Sequence, residues 1–228
     1  MSGFAGNIAA IMITMRTGFG AVFKRDITRR FRNIAEALTP LFFFAATIAV
    51  FAIALGGGAG ILAKTAPGVL WSAALFAALL AQEGIFAADN NEGFSEQMLT
   101  SPHSLTIMVF AKSIAHWLFT GAPLCVAAGF GAVALHLPVD DALTLAAALF
   151  VGTPVFSLLA AFVSALCARN AVLAVFLALP LALPALIFGA AASGGGTGAF
   201  LFLAASLTFA LTVLPLATAA ALRATAGY

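Results

Sequence analysis

Long apolar runs, separated by short polar or glycine-rich stretches, fill most of the chain after about residue 37. A bilayer core about 30 Å thick is crossed by roughly 20 mostly apolar helical residues. The pattern predicts helices of that kind at about Leu38–Leu55, Pro67–Ala88, Leu105–Leu135, Ala142–Ala168, Ala171–Ala192 and Ala199–Leu222. Pro67 suits a first helical turn, where its missing N–H costs nothing. A bend is expected at Pro123 in the long third run.

Composition agrees with this pattern. Hydrophobic residues make up 63% of the 228 residues and charged residues only 8%, whereas soluble domains carry about 25% charged residues. So few charges cannot form a water-facing surface of ordinary polarity. The fold class is therefore predicted to be all-α and polytopic, with a six-helix transmembrane domain across residues 37–228.

Basic residues are concentrated before the first apolar run, in an N-terminal region of residues 1–36 that is predicted to begin with a retained leader. Five of the ten lysines and arginines lie there: Lys24, Arg25, Arg29, Arg30 and Arg32. Apolar residues recur between them at spacings of three and four: Phe23, Ile27, Phe31, Ile34 and Leu38. This spacing predicts an amphipathic helix on the inner leaflet, where anionic headgroups attract the arginines. The helix can serve as a simple anchor or as an elbow before the first span.

The same charges predict the orientation. With an even number of spans, both termini lie on one side, and most lysines and arginines lie there too, whereas Lys64 falls on the other side. Cytoplasmic loops carry the excess of positive charge. We therefore expect a multi-pass protein of the bacterial inner membrane with both termini cytoplasmic. The chain is expected to be surrounded by the lipid bilayer. Because the basic residues are confined to one short segment, binding to nucleic acid is not favoured.

Motifs for chemistry are absent from the sequence. The stretch Gly58–Thr65 resembles a nucleotide-binding loop but lacks the glycine before the lysine. No metal site and no catalytic set of residues is recognisable, so the chain is predicted not to be an enzyme. The histidines at 103, 116 and 136 fall at different levels of the membrane and cannot jointly hold one haem.

Four residues are candidates for an intramembrane polar role: Glu83, Lys112, His116 and Trp117. An acid and an imidazole within a membrane can relay protons, as a secondary carrier requires. Glu83 and His116 can equally form a hydrogen bond that fixes the packing of the second and third spans. Packing is the favoured interpretation, and a carrier remains an alternative.

The connection between the second and third spans, residues 89–104, is predicted to be a cytoplasmic coupling segment. Gly93 interrupts the chain, Ser95 is expected to cap a short helix, and Pro102 prevents that helix from continuing. Such a helix is too short to be stable alone. We expect its apolar side to enter a groove on a partner, flanked by two acids; the residues concerned are Phe94, Met98 and Leu99, with Glu92 and Glu96.

The pattern Glu92-Gly93-x-Ser95-Glu96-x-x-Leu99-x-Ser101-Pro102 resembles the coupling segment of ABC-2-type permeases, which docks on an ATPase subunit. More specifically, the chain resembles the haem exporter B (CcmB) family of the cytochrome c maturation system. The strings that carry this resemblance are Pro67–Leu75, Leu79–Glu83, Ala111–Trp117, Thr120–Leu124, Gly152–Pro154, Leu179–Leu181 and Leu214–Arg223.

The resemblance implies an ABC-2-like permease subunit without a cofactor of its own. The implied partners are an ATP-binding subunit (CcmA-like), a haem-handling membrane subunit (CcmC-like), a small single-span subunit (CcmD-like) and a second copy of the chain. Haem is then the substrate that is exported or handled, or ATP hydrolysis on the partner releases a haem-loaded periplasmic chaperone. An ABC-2 exporter for another amphiphile and an assembly subunit that transports nothing are the alternatives.

Overall fold

The structure is a computed structural model that describes residues 18–56, 58–82, 85–86, 89, 92–167 and 170–225. Over these residues the chain forms helices and no strands. The helices are α1 (18–32), α2 (Ile34–Leu55), α3 (Ala59–Ala81), α4 (Phe94–Thr100), α5 (Leu105–Phe119), α6 (Gly121–Ala134), α7 (Val139–Leu166), α8 (Ala171–Ser193) and α9 (Thr197–Thr225).

Within the described residues, 6 helical stretches are long and apolar enough to cross a membrane. They are α2 from Leu38 onward, α3, α5 together with α6, α7, α8 from Val172 onward, and α9. The predicted all-α, six-span architecture is confirmed. The fifth and sixth spans begin and end within a few residues of the predicted positions. The glycine-containing turn between these two apolar runs makes the boundary clear in the sequence.

The second span begins earlier than predicted. Helix α3 starts at Ala59, and Pro67 lies inside it rather than in its first turn. Lys64 and Thr65 lower the hydropathy of this first part, which hid it from the sequence pattern. A tight turn makes the early start possible, since Gly56 adopts the left-handed conformation with φ of 51°. Prolines inside membrane helices are tolerated because neighbouring groups satisfy the freed carbonyls.

The third span is interrupted near the predicted place. The bend expected at Pro123 lies at Thr120, where φ is −116° and ψ is −62° between α5 and α6. Pro123 has no N–H to donate to the carbonyl of Phe119, four residues earlier, and its ring crowds that carbonyl. Helix α5 therefore ends at Phe119.

Helix α7 forms the centre of the bundle. In the most apolar stretch of α7, 67% of the residues are buried inside the protein, against 17% for α2. Helices α3, α5, α6, α8 and α9 all pack on α7. Large apolar side chains point outward from the peripheral helices, among them Phe42, Ile53, Phe176 and Leu201. These outer faces are apolar, as contact with the acyl chains of the surrounding lipids requires.

Trp71 of α3 connects three helices within the core. Its fully buried ring packs edge-to-face on Phe156 of α7, with the ring centroids 6.0 Å apart. Its Nε1 donates a hydrogen bond of 2.9 Å to Oγ of Ser193 in α8. The ring also fills the space beside Gly152 and Gly189, where a Cβ atom would lie 2.3 Å from ring carbons. Glycine at these two positions allows α7 and α8 to approach the indole.

The variant Gly189→Ala is expected to destabilise the protein, since its new methyl group overlaps the Trp71 ring. Overpacking of this kind costs about 1–3 kcal/mol. The control is Gly129→Ala in α6, where an added Cβ meets nothing within 4 Å. Thermal unfolding in detergent should show a lower midpoint for Gly189→Ala and no loss for Gly129→Ala. Equal midpoints for both variants would contradict this packing.

Candidate functional site

The short helix α4 lies at the junction between the second and third spans. Gly93 stands at its N-cap with φ of 70°, a left-handed conformation that favours glycine. Ser95 lies inside the helix, so the prediction that Ser95 caps it is wrong. The helix ends at Thr100, and Ser101 is extended with ψ of 145° because the following residue is Pro102.

The apolar side of α4 faces the protein's own helices. Met98 is only 2% exposed, and Phe94 and Leu99 pack beside it. Their neighbours come from several elements: Val22 of α1, Ile85 and Phe86, Leu105 and Met108 of α5, and Leu222 of α9. Met98 is therefore not available to a partner's groove, whereas Phe94 and Leu99 are only partly buried, and the docking of this segment on a partner stays a prediction. A seven-residue helix must bury its apolar side somewhere, and the nearest apolar surface belongs to the bundle itself.

The opposite side of α4 is open to solvent. It carries the exposed residues Glu92, Glu96, Gln97, Thr100 and Pro102. The carboxylate of Glu96 has no ion pair among the described residues. The surface available for a partner is thus polar and acidic.

A buried ion triad lies beneath α4. Lys112 of α5 is 1% exposed, and its Nζ lies 2.8 Å from Oδ2 of Asp26 in α1. The same Nζ lies 2.5 Å from Oδ2 of Asp89 in the connection. The first contact is a hydrogen-bonded ion pair, whereas the second is a close ion pair without hydrogen-bond alignment. Both carboxylates are buried, at 2% exposure for Asp26 and 0% for Asp89.

Arg25 extends the triad toward solvent. Its two terminal nitrogens donate to Oδ1 of Asp89 at 2.8 Å and to Oε2 of Glu92 at 2.6 Å. Its guanidinium also stacks over the Phe94 ring, 3.6 Å from the centroid. Burial lowers the pKa of Arg25, but the hydrogen bond to Asp89 and the charges of Asp89, Asp26 and Glu92 outweigh burial and raise it. Arg25 therefore stays protonated at every physiological pH.

Arg29 completes the group, with Nη1 3.8 Å from Oδ1 of Asp89. We call Arg25, Asp26, Arg29, Asp89, Glu92 and Lys112 the charged cluster. It contains three cations and three carboxylates, so its formal charge is zero. Burying an unpaired ion costs several kcal/mol, and pairing with further hydrogen bonds compensates for that cost. The charged cluster thereby holds together α1, the connection before α4, and α5.

Two of the intramembrane candidates have other partners. His116 is fully buried, with Nε2 3.4 Å from the carbonyl oxygen of Ala81 at the end of α3. Trp117 donates from Nε1 to Oγ1 of Thr153 in α7 at 3.0 Å. Both contacts join α5 to a neighbouring helix, which agrees with a packing role. Glu83 lies outside the described residues, so its pairing with His116 stays a prediction.

The basic residues of α1 divide into two groups. Arg25 and Arg29 bind carboxylates of this chain, whereas Lys24 and Arg32 are exposed. The predicted apolar stripe is divided too: Phe31 is 65% and Ile34 58% exposed, whereas Phe23 packs against the apolar cluster around Met98. The side of α1 that faces the bundle is instead formed by Gly18, Val22 and Asp26. Only part of the predicted basic anchor is thus free to meet headgroups.

Sequence reasoning missed Asp26 and Asp89 as site residues. Asp26 lies within the basic run and looks like one more surface charge, and Asp89 looks like part of a solvated loop. One signal pointed to them. Lys112 is a charged residue inside an apolar helical run, and such a residue requires a buried partner of opposite sign.

Comparisons with known proteins find similar chains along almost the whole sequence. A family model described as "CcmB protein" matches residues 17–225. The Heme exporter protein B of Pseudomonas aeruginosa is 40% identical over 222 residues, which cover 93% of this chain and 100% of that relative. The proteins of the same name from Rhodobacter capsulatus and Escherichia coli K12 are each 38% identical, covering 89% and 90% of this chain and 97% of each relative.

The variant Lys112→Met should destabilise the protein strongly, because Asp26 and Asp89 would lose their shared buried cation. Breaking a buried ion pair by removing one partner costs about 3–5 kcal/mol. The control is Lys24→Met, which removes an exposed lysine without an ion pair among the described residues. Thermal unfolding in detergent should separate the two variants clearly. A melting midpoint for Lys112→Met equal to that of Lys24→Met would show that the buried triad is not formed.

Proposed function

The chain belongs to the CcmB protein family, and on that premise we propose that it is the membrane permease subunit of an ABC-type complex for c-type cytochrome biogenesis. The observation that carries this proposal is the match along residues 17–225, together with relatives named Heme exporter protein B that align over nearly their whole length. The complex exports haem, or uses ATP hydrolysis to release a haem-loaded periplasmic chaperone.

The protein is a multi-pass membrane protein, and we place it in the bacterial inner membrane with both termini cytoplasmic. The basic residues support this orientation. Arg25 and Arg32 precede the first span, and Arg223 ends the last one, whereas Lys64 lies near the start of α3. Short flanks rich in lysine and arginine remain on the cytoplasmic side. The connection that carries α4 is then cytoplasmic as well.

The energy source in this proposal is a separate ATP-binding subunit that docks on the coupling segment, residues 89–104. The contact surface is the polar outer side of α4, with Glu96 and Gln97 at its centre, because the apolar side is already buried against the bundle. ATPase subunits of this type act in pairs, so a second copy of the chain supplies the second docking segment. The haem-handling subunit and the small single-span subunit complete the assembly.

Removal of this chain from its bacterium is expected to abolish covalent haem attachment to c-type cytochromes, and the native gene should restore it. Haem staining of membrane and periplasmic proteins on denaturing gels measures attachment directly, since only covalently bound haem survives. An unrelated haem protein with b-type haem, measured spectroscopically, serves as the control for haem supply. Normal c-type cytochromes in the deletion strain would refute the proposed function.

The variant Glu96→Lys should reduce co-purification of the ATP-binding subunit, since it reverses a charge at the centre of the proposed contact. Like-charge juxtaposition at an interface costs several kcal/mol, so at least a tenfold loss of bound subunit is expected. Glu96 is a cleaner probe than Glu92, which also holds Arg25. The matched control is Asp141→Lys, an exposed acid in the first turn of α7.

Both variants should accumulate normally in the membrane, and only Glu96→Lys should lose the ATP-binding subunit. Native-level co-purification with Glu96→Lys would exclude the outer side of α4 as the docking surface.

A further inference from the structure

We propose that Lys112 is a positioning residue that transmits movement of the coupling segment into the membrane-embedded part of α5. The inference rests on the proposed function, because it assumes that an ATP-binding subunit moves α4. It adds a route for that movement, a chain of ion pairs that runs from the cytoplasmic surface into the bundle.

The covalent route from α4 to α5 is poorly suited to this task. The two helices are joined by residues 101–104, which are not helical. Ser101 and Ser104 are both in extended conformations, with ψ of 145° and 117°. The link lacks the regular i→i−4 hydrogen bonds that would join α4 and α5 into one continuous helix. A displacement of α4 therefore reaches α5 through side-chain contacts: the apolar packing around Met98 and a polar contact.

The charged cluster provides that contact in successive steps. Glu92 is at the surface, with 55% of its side chain exposed, and it binds Arg25 at 2.6 Å. Arg25 binds Asp89 at 2.8 Å, and Asp89 meets Lys112 at 2.5 Å. Lys112 finally binds Asp26 at 2.8 Å. Arg25, Asp89 and Lys112 are each paired with two ions of opposite charge in this sequence. None of these three can move far without weakening an ion pair on either side.

The end point of this route lies well inside the third span. Lys112 follows Leu105, the first residue of α5, by seven positions. At 1.5 Å per residue, that places it about 10 Å, or two turns, along the helix. The contact thus bypasses the non-helical link and acts directly on the membrane part of α5.

Burial strengthens the ion pairs along this route. Solvent exposure is 1% for Lys112 and 0% for Asp89, so water and salt screen their attraction far less than they screen surface pairs. Met108 and Val22, one helical turn before Lys112 and Asp26, belong with Phe86 to one buried apolar cluster. The Lys112 ammonium also lies 5.5 Å from the centroid of the Phe86 ring, three residues before Asp89. Because Asp26 of α1 also binds Lys112, α1 is expected to move together with α4 and α5.

The test uses the balanced double variant Lys112→Met/Asp26→Asn. It removes one cation and one carboxylate, so Arg25 and Arg29 still balance Asp89 and Glu92, and the outer side of α4 is unchanged. We expect the double variant to regain the melting midpoint that Lys112→Met loses and to bind the ATP-binding subunit as the native chain does. Covalent haem attachment should nevertheless fall by about tenfold, within the usual range for coupling between sites.

The conservative variant Lys112→Arg keeps the cation and should retain most of the attachment. Native-level haem attachment with the double variant would overturn the inference. If instead the native chain neither binds an ATP-binding subunit nor supports haem attachment, the proposed function itself fails. The two failures are therefore distinguishable in one set of strains.

A second measurement avoids any change in the charged cluster. Spin labels on Thr100→Cys, at the last residue of α4 and away from the centre of the proposed contact, and on Leu118→Cys in α5, both exposed positions, report the distance between the two helices. The native cysteines at 125 and 167 are replaced by alanine for this purpose. In the intact complex, addition of a non-hydrolysable ATP analogue should leave this distance unchanged, because α4 and α5 move together. A nucleotide-dependent change in the distance would overturn the inference even if the double variant does not fold.

Discussion

The ammonium group of Lys112 imposes the constraint on which the end of the protein that carries α4 depends. An ion placed among apolar helices is tolerated only when carboxylates and hydrogen bonds replace the water that it loses. Helix α5 contains no acid that could serve, so the partners must come from elsewhere in the chain. Asp26 arrives on α1 and Asp89 on the connection after the second span. Both segments are thereby fixed against α5, and α4 is held in place between them.

The remainder of the bundle follows from apolar packing. Helix α7 occupies the centre, and small residues allow its neighbours to approach it closely, as Gly152 and Gly189 do around Trp71. Peripheral helices leave their large apolar side chains on the outside, where lipid replaces protein as the contact. Helix α4 also has two different sides: Met98 is buried against the bundle, whereas Glu96 and Gln97 are exposed. One face of α4 thus packs on the rest of the fold, and the other is exposed.

Much of this architecture could be predicted from the sequence, because continuous apolar runs and glycine-rich turns are sufficient to locate six spans. The start of α3 was missed because Lys64 interrupts an apolar run although the helix continues through it. The short helix α4 was expected, but the direction of its apolar side was not, since that depends on which surface lies nearest in three dimensions. The charged cluster was missed for the same reason. Its paired members are up to 86 residues apart, and pairing at that separation leaves no local pattern, although the isolated lysine in α5 indicated that some partner must exist.

The most direct measurement of the central claim is an affinity purification of the tagged chain from gently solubilised native membranes, followed by mass spectrometry. The account predicts that an ATP-binding subunit and a haem-handling membrane protein are recovered together with the chain. Recovery of an ATP-binding subunit without any haem-handling protein would contradict the role in c-type cytochrome biogenesis. Recovery of the intact chain without an ATP-binding subunit would contradict the view that its cytoplasmic segment couples ATP hydrolysis to the membrane helices.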